Sequence, residues 1–187
     1  MTQPPTHPLR HAALTRALHW IVAVMVIAML PVGVVMLSDG LARPTQDLLF
    51  ILHKNGGVAI LLLVILRLAW RARTPAPPMP AGMSPLQAGA ARAAHWALYA
   101  LLLVMAISGY VRVRAGGFPI EMLDALGLPT FVPRSESLAE IAKAIHANAR
   151  FALAGLILLH VGAAMMHLVR RDGVFGRIWP PLGKSGQ

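Results

Sequence analysis

Four apolar runs, each long enough to cross a bilayer, constrain this chain more than any other feature. They cover residues 17–37, 48–66, 93–111 and 151–169 and contain almost no charged side chains. A helix needs about 20 apolar residues to span the hydrocarbon core of a membrane. Because a helix also satisfies its own backbone hydrogen bonds in lipid, the runs predict an all-α membrane protein with a four-helix bundle.

The overall composition supports this interpretation. Hydrophobic residues make up 57% of the 187 positions and charged residues only 13%, whereas a soluble domain has about 25% charged residues. The first run follows two basic residues, Arg10 and Arg16, as the apolar segment of a signal peptide also does. It is too long for a signal peptide, and no small-residue cleavage site follows Leu37. We therefore predict one membrane domain over residues 1–187, with helices at about 14–38, 46–73, 88–114 and 138–170.

Two connecting segments carry further signals. Residues 74–87 are rich in proline and glycine, which predicts a linker after the second helix. Ser137 and Glu140 have the spacing of a capping box, which predicts the start of the fourth helix.

The basic residues predict the orientation, because segments that stay in the cytoplasm carry an excess of Lys and Arg. With a cytoplasmic N-terminus, the inner segments hold ten Lys and Arg residues and one acidic residue. The outer segments hold seven Lys and Arg residues and six acidic residues. We expect both termini to lie in the cytoplasm. Topology and contact with lipid thus explain the net charge of +10, and we expect no nucleic-acid partner. Without cysteine, the chain can form no disulfide bond and can hold no thiolate-bound metal cluster.

Six of the eight histidines lie in or beside the predicted spans, where polar groups are expensive and tend to be functional. His7 and His11 lie in the polar N-terminal tail, and we expect them to be solvated. The other six sort by depth into an outer and an inner layer. The outer layer holds His53 and His146, and the inner layer holds His19, His95, His160 and His167.

The fourth predicted helix carries three of these histidines, and two of them, His146 and His160, lie 14 positions apart. At 100° and 1.5 Å per residue, they lie within about 40° of one helix face and about 21 Å apart. Paired imidazoles suit a six-coordinate haem that transfers electrons. His53 and His146 would form an outer site. For the inner site, the spacing leaves open whether His160 or His167 is the partner of His19.

Several motifs resemble the bacterial cytochrome b561 family, and their order and spacing over four spans carry the resemblance. They are HWIV at 19–22, LHKNGG at 52–57, RL at 67–68, TPAPP at 74–78, HW at 95–96 with Tyr99, LH at 159–160, and His167 with RDG at 171–173. The resemblance implies a four-helix, multi-pass cytochrome of the bacterial inner membrane with two non-covalent haems b. It also implies the ligands: His19 with His160 for the inner haem, and His53 with His146 for the outer one.

The resemblance implies a function as well, since members of this family include superoxide oxidases that reduce ubiquinone. On that basis we expect the chain to oxidise periplasmic superoxide, with Lys54 and Arg150 attracting the anion. His167, and then His95, are the candidates for the quinone side, although both equally suit a haem propionate or lipid contact. Further propionate candidates are Arg16, Arg67, Arg71 and Arg150.

Two other functions remain open from the sequence. The first is a cytochrome b anchor subunit that passes electrons between a partner dehydrogenase or hydrogenase and the quinone pool. The second is a haem-free transporter that uses its histidines for protons or a metal. Met165, Met166 and His167 are adjacent in the sequence and would suit a metal, although methionines in a membrane helix are more often packing residues.

Overall fold

Helices form all the regular secondary structure in the part of the chain that the computed structural model describes, residues 10–78 and 82–179. The prediction of four membrane-spanning helices is confirmed, because four helices are long and apolar enough to cross a bilayer. Each begins one to three residues before its predicted start. The α-helices are α1 (Ala13–Val35), α2 (Arg43–Arg73), α3 (Pro85–Ala115), the short α4 (Glu121–Ala125) and α5 (Glu136–Arg170), and a 3₁₀ helix spans Phe175–Arg177.

The helix starts correct one local prediction. Ser135 caps α5 by accepting a hydrogen bond from the backbone N–H of Leu138, so the predicted capping box at Ser137 and Glu140 is wrong. Ser135 is extended and can turn its hydroxyl onto the first helical turn, whereas Ser137 already lies inside the helix. A complete capping box occurs instead at α3, where Ser84 and Gln87 each accept from the other's backbone N–H.

The long helices pack in a chain rather than a closed ring. Among the described residues, α2 packs against α1 and α3, whereas α5 packs closely against α3 and much less closely against α1 and α2. A small core of Val22, Val26, Ile60, Val64 and Tyr99 holds α1, α2 and α3 together, and Ile157 of α5 packs against it. Many other large apolar side chains on the spans are exposed, as expected of helices that face lipid.

The two ends of the bundle are built differently. At one end, which we call the terminal end, His11 N–H donates to the Arg177 carbonyl at 3.1 Å, and the Trp20 indole donates to the Ile178 carbonyl at 3.0 Å. Arg177 also donates to the Pro78 carbonyl at 2.6 Å. The opposite end carries α4, and we call it the capped end. The prediction that His11 is a solvated tail residue is therefore wrong, whereas His7 lies outside the described residues.

Candidate functional site

At the capped end, α2 and α5 bring His53 and His146 together. Their ring centroids are 6.2 Å apart, with the ring planes at 86°. The Nδ1–H of His146 donates to the Met105 carbonyl at 2.9 Å, and the Ser108 hydroxyl lies 3.3 Å from the same nitrogen. This hydrogen bond fixes the ring and leaves Nε2 available, which is the usual arrangement of a metal-binding histidine.

Two glycines make room for these rings. A Cβ on Gly33 would lie 2.7 Å from His53 Cε1, and a Cβ on Gly109 would lie 3.1 Å from His146 Cε1. The first distance is too short for any carbon–carbon contact, so Gly33 is required for His53 to hold its position. The glycines of α1 and α3 thus serve the histidine pair rather than the close approach of two helix backbones.

At the terminal end, α1 and α5 bring His19 and His160 together in the same way. Their ring centroids are 6.3 Å apart. A third imidazole, that of His95 on α3, lies beside them with its centroid 5.5 Å from that of His160. The Nδ1 atoms of His19 and of its capped-end counterpart His53 are buried and make no hydrogen bond to a described residue. Polar atoms in such a setting require a partner that the described side chains do not supply.

Both pairs have the spacing that one iron requires. An imidazole nitrogen binds a first-row metal ion at about 2 Å, so two rings on opposite sides of one iron have centroids about 6 Å apart. In each pair the two histidines come from helices that do not pack closely against each other. No group of three His, Cys, Asp or Glu side chains in the described residues is placed to hold a bare metal ion. Haem fits better, because it brings four ligands of its own.

Comparison with known proteins agrees with this geometry. A sequence model of the family described as prokaryotic cytochrome b561 matches residues 10–181. The chain belongs to the prokaryotic cytochrome b561 family. It is 32% identical over 184 residues to "Cytochrome b561 homolog 2" of Escherichia coli K12, covering 95% of this chain and 94% of the relative. It is also 30% identical over 179 residues to a Yersinia pestis protein named "Probable superoxide oxidase CybB", covering 91% and 96%.

Membership of the cytochrome b561 family makes this chain a multi-pass inner-membrane protein of electron transfer that binds b-type haem. The histidine pairs fit that group by their spacing, by the glycine-lined space at the capped end and by the buried, unpartnered Nδ1 atoms. His19 with His160 and His53 with His146 are the pairs that would bind the iron. The assignment of each pair to a haem is part of the proposal made below.

Next to His53, Lys54 holds α4 against the bundle. Its ammonium group donates to Glu121 Oε1 at 2.6 Å and to the Pro119 carbonyl at 2.8 Å. Asn55 donates to Glu121 Oε2 at 3.0 Å and accepts from the Met122 backbone N–H at 2.9 Å. Burial raises the pKa of Glu121, but the hydrogen bonds from Lys54 and Asn55 outweigh it and hold the pKa below its ordinary value. The positive charge of Lys54 is therefore compensated by Glu121.

Arg114 anchors α4 a second time. It is buried at the end of α3 and donates to Asp124 Oδ1 at 2.6 Å. That hydrogen bond, more than any other interaction, holds the pKa of Asp124 below its ordinary value. The other carboxylate oxygen of Asp124 accepts from the Ile120 backbone N–H at 3.1 Å. Two ion pairs thus fix a helix of only five residues, which the sequence analysis did not predict.

The remaining arginine candidates lie in different settings. Arg150 is one turn along α5 from His146, and its Nε is buried without a hydrogen bond to a described residue. Arg67 also has a buried, unpartnered Nε, and its guanidinium lies 5.3 Å from the Tyr99 ring centroid. Arg71 packs on Trp96 at 5.3 Å. Arg16 is completely buried and donates to the His11 carbonyl at 2.6 Å.

His167 lies at the terminal end of α5, beside an open groove. Its Nδ1–H donates to Asp172 Oδ2 at 2.5 Å, and this hydrogen bond lowers the pKa of Asp172. The groove has a volume of about 530 Å³ and is mostly apolar, with Phe175 and Trp179 in its wall. The groove thus combines an apolar surface with an imidazole whose hydrogen-bonded carboxylate can exchange a proton with it.

Sequence reasoning missed the groups that hold the ligands in place. The Met105 carbonyl and the Ser108 hydroxyl orient His146, but nothing in their sequence context marks them. Gly33 and Gly109 make room for the rings, but glycine is common in membrane helices and does not by itself indicate this role. The pairing of Lys54 with Glu121 joins residues 67 positions apart, so only the folded chain reveals it.

Proposed function

We propose that this cytochrome oxidises superoxide at its capped end and reduces ubiquinone at its terminal end. Electrons pass between the two ends through two b-type haems, one at each histidine pair. The observation that carries the proposal is the pair of sites on α5, since His146 and His160 each face a histidine of another helix at 6.2 and 6.3 Å. Bound haem b supplies one-electron transfer, and the 14-residue spacing separates the sites by about 21 Å along α5.

The proposed orientation puts the terminal end in the cytoplasm. Nine described arginines lie at or near this end and face a single acid, Asp172, which agrees with the rule that positive charge stays inside. They are Arg10, Arg16, Arg67, Arg71, Arg73, Arg92, Arg170, Arg171 and Arg177. The acids of α4 and of the segments beside it lie at the capped end, which then faces the periplasm.

The overall reaction balances with two superoxide anions per quinone. Each superoxide loses one electron and becomes O₂, and the two electrons together with two protons convert ubiquinone to ubiquinol. The protein's own contribution to the second half is proton delivery. His167 lines the groove and is hydrogen-bonded to Asp172, and this pair is our candidate for passing protons to the quinone oxygens. His95 is the second candidate on this side.

Arg150 and Lys54 are the candidates for attracting superoxide, since a cationic site raises the encounter rate of a small anion. Lys54→Gln and Arg150→Gln should slow haem reduction by superoxide, and the effect should shrink as salt is added. The control is Lys143→Gln, which removes an equal charge from an exposed pair with Glu140 at the same end. Unchanged rates and salt dependence in both variants would count against electrostatic attraction.

Glu121→Gln separates attraction by Lys54 from its role in holding α4. The substitution leaves the ammonium group in place but removes the carboxylate that compensates it at 2.6 Å. If Lys54 attracts superoxide, the variant should react faster than the wild type. A slower reaction would show that the ion pair acts by anchoring α4.

The quinone side is tested in the same preparation. His167→Ala and Asp172→Asn should both keep two haems, and haem reduction by superoxide should continue while the haems are reoxidised by ubiquinone more slowly. Arg170→Gln, at a neighbouring residue that does not line the groove, is the control. Normal reoxidation in both variants would remove His167 and Asp172 from the quinone site.

A role as the anchor of a partner dehydrogenase or hydrogenase is the second candidate. The segment beside α4 exposes three large apolar side chains, Phe118, Leu126 and Phe131, at 64%, 68% and 81%, which suits contact with another protein or with the membrane surface. Purified cytochrome in liposomes, supplied with superoxide and ubiquinone, decides between the two. Ubiquinol formation without any partner supports the superoxide reaction. Failure of that reaction, together with copurification of a soluble redox subunit, supports the anchor role.

A further inference from the structure

His146 and His160, the two histidines of α5 that belong to the histidine pairs, differ in what orients their rings. His146 donates to the Met105 backbone carbonyl at 2.9 Å, which is the kind of interaction that normally fixes a metal-binding imidazole. His160, by contrast, makes no hydrogen bond to any described residue. Because a ligand ring that is free to turn would give its iron a variable environment, something else must hold His160.

The nearest group that can do so is the ring of His95. Helix α3 packs closely along α5, and this packing brings the His95 ring centroid to 5.5 Å from that of His160, with the planes at 72°. This is an edge-to-face contact, an arrangement that aromatic rings prefer. The contact is shorter than that between His160 and its proposed axial partner His19, at 6.3 Å.

His95 is itself fixed by its place in α3. It lies in the first half of the helix, between the capped start at Ser84 and the buried Tyr99. The adjacent Trp96 packs on Arg71, and Tyr99 packs on Arg67. Its neighbours along the helix are therefore held by α2, so that His95 can present a stable ring to α5.

We propose that His95 is a positioning residue that sets the ring orientation of His160 through this edge-to-face contact. The orientation of an axial imidazole and the interactions around it tune the potential of the iron it binds. His95 therefore influences the terminal-end haem without binding it. The inference rests on the proposed pairing of His160 with a haem, but it does not depend on superoxide or on ubiquinone.

Three variants of the full-length protein test the inference: His95→Ala, His95→Phe and His95→Gln. The readouts are the low-spin EPR signal and the midpoint potential of each haem. We expect the Ala variant to shift both for the terminal-end haem and to leave the capped-end haem unchanged. Phe keeps an aromatic ring and should restore the wild-type values. Gln keeps a hydrogen-bond donor but no ring, and should behave like Ala.

Two results would overturn the inference. An Ala variant with wild-type signals would show that His95 does not act on His160. Restoration by Gln but not by Phe would show that His95 donates a hydrogen bond, for example to a haem propionate, and does not act through its ring. If the Ala variant loses the terminal-end haem, the comparison of Phe with Gln decides by the same criterion.

Ser108→Ala is the matched control at the capped end. Ser108 contacts His146, but the Met105 carbonyl remains in place when the hydroxyl is removed, so the capped-end haem should change little. A shift as large as that in His95→Ala would contradict the proposed difference between the two ligands. The proposed pairing is tested separately, because His160→Ala must lose the terminal-end haem. If His160→Ala keeps both haems, the pairing itself fails.

Discussion

The two histidine pairs have nearly the same spacing but are held by different means. At the capped end, His146 bonds to a backbone carbonyl, and two ion pairs fasten α4 next to His53 and the end of α3. At the terminal end, His160 is oriented by ring contacts and makes no hydrogen bond to a described residue, and the surrounding groups are side chains of α1, α2 and α3. One site is thus fixed largely by the backbone and the other by neighbouring side chains.

This difference determines which kinds of substitution can disturb each site. A backbone carbonyl survives every side-chain substitution, so the orientation of His146 can change only through the space around it or through its own replacement. The terminal-end site depends on side chains that single substitutions remove, His95 among them. The capped-end site should therefore be sensitive to steric changes, and the terminal-end site to changes in polar and aromatic neighbours.

The largest expected effect comes from Gly33→Ala. The added Cβ would lie 2.7 Å from His53 Cε1, so the ring must move, and we expect the capped-end haem to be lost or much reduced in occupancy. Gly109→Ala places its Cβ 3.1 Å from His146 Cε1 and should have a smaller effect. The haem content per chain and the optical spectrum measure both outcomes.

Gly57→Ala is the control, because its Cβ would meet nothing within 4 Å. It should retain both haems. Full occupancy of the capped-end site in Gly33→Ala would contradict the proposed steric role of Gly33. A loss confined to the terminal-end haem would contradict the placing of Gly33 beside the capped-end pair.

A smaller effect is expected from breaking the attachment of α4. The Lys54 and Glu121 side chains are 14% and 37% exposed, so solvent weakens their attraction, and Glu121→Gln should cost about 0.5–1 kcal/mol of local stability. Amide hydrogen exchange in residues 121–128 should become roughly two- to fivefold faster. Asp47→Asn, which breaks the exposed pair with Arg43, should leave this exchange unchanged. Equal exchange in Glu121→Gln and wild type would show that the ion pair does not hold α4.

The smallest expected effect is the pH dependence of the second ion pair that holds α4, between Arg114 and Asp124. The pKa of Asp124 is lowered from its ordinary 3.8 by the hydrogen bond from Arg114. A carboxylate whose folded pKa is depressed contributes its full stability above the unfolded pKa and loses it as the pH falls through the folded value. Protection of α4 should therefore be constant from neutral pH down to about 5 and fall only below about 4. Loss of protection between pH 7 and 5 would show that a histidine, and not Asp124, controls the attachment of α4.

Hydropathy predicted the four spans well, because the length and apolarity of a membrane helix are local properties of the sequence. The capping residue of α5 was placed two positions too late, since Ser135 and Ser137 both precede apolar turns and the sequence does not show which is extended. Helix α4 was missed because five residues are too few to show a period. Its order depends on ion pairs with α2 and α3.

The two layers of histidines could be predicted from their depth along the helices. The contacts between histidines within one layer could not. Depth placed His19, His95 and His160 at one level, whereas only the packing of α3 along α5 shows that His95 contacts His160. Lys54 was predicted to attract superoxide from its place beside His53. Its partner Glu121 comes from a segment whose position depends on the tertiary fold.

The central claim is that two haems are bound by two histidine pairs at opposite ends of the bundle. Haem quantification with an optical redox titration, on wild type and on His19→Ala, His160→Ala, His53→Ala and His146→Ala, tests it most directly. We predict two haems per chain in the wild type, loss of one and the same haem in the first two variants, and loss of the other haem in the last two. A single haem in the wild type, or loss of the same haem in His146→Ala and His160→Ala, would contradict the claim.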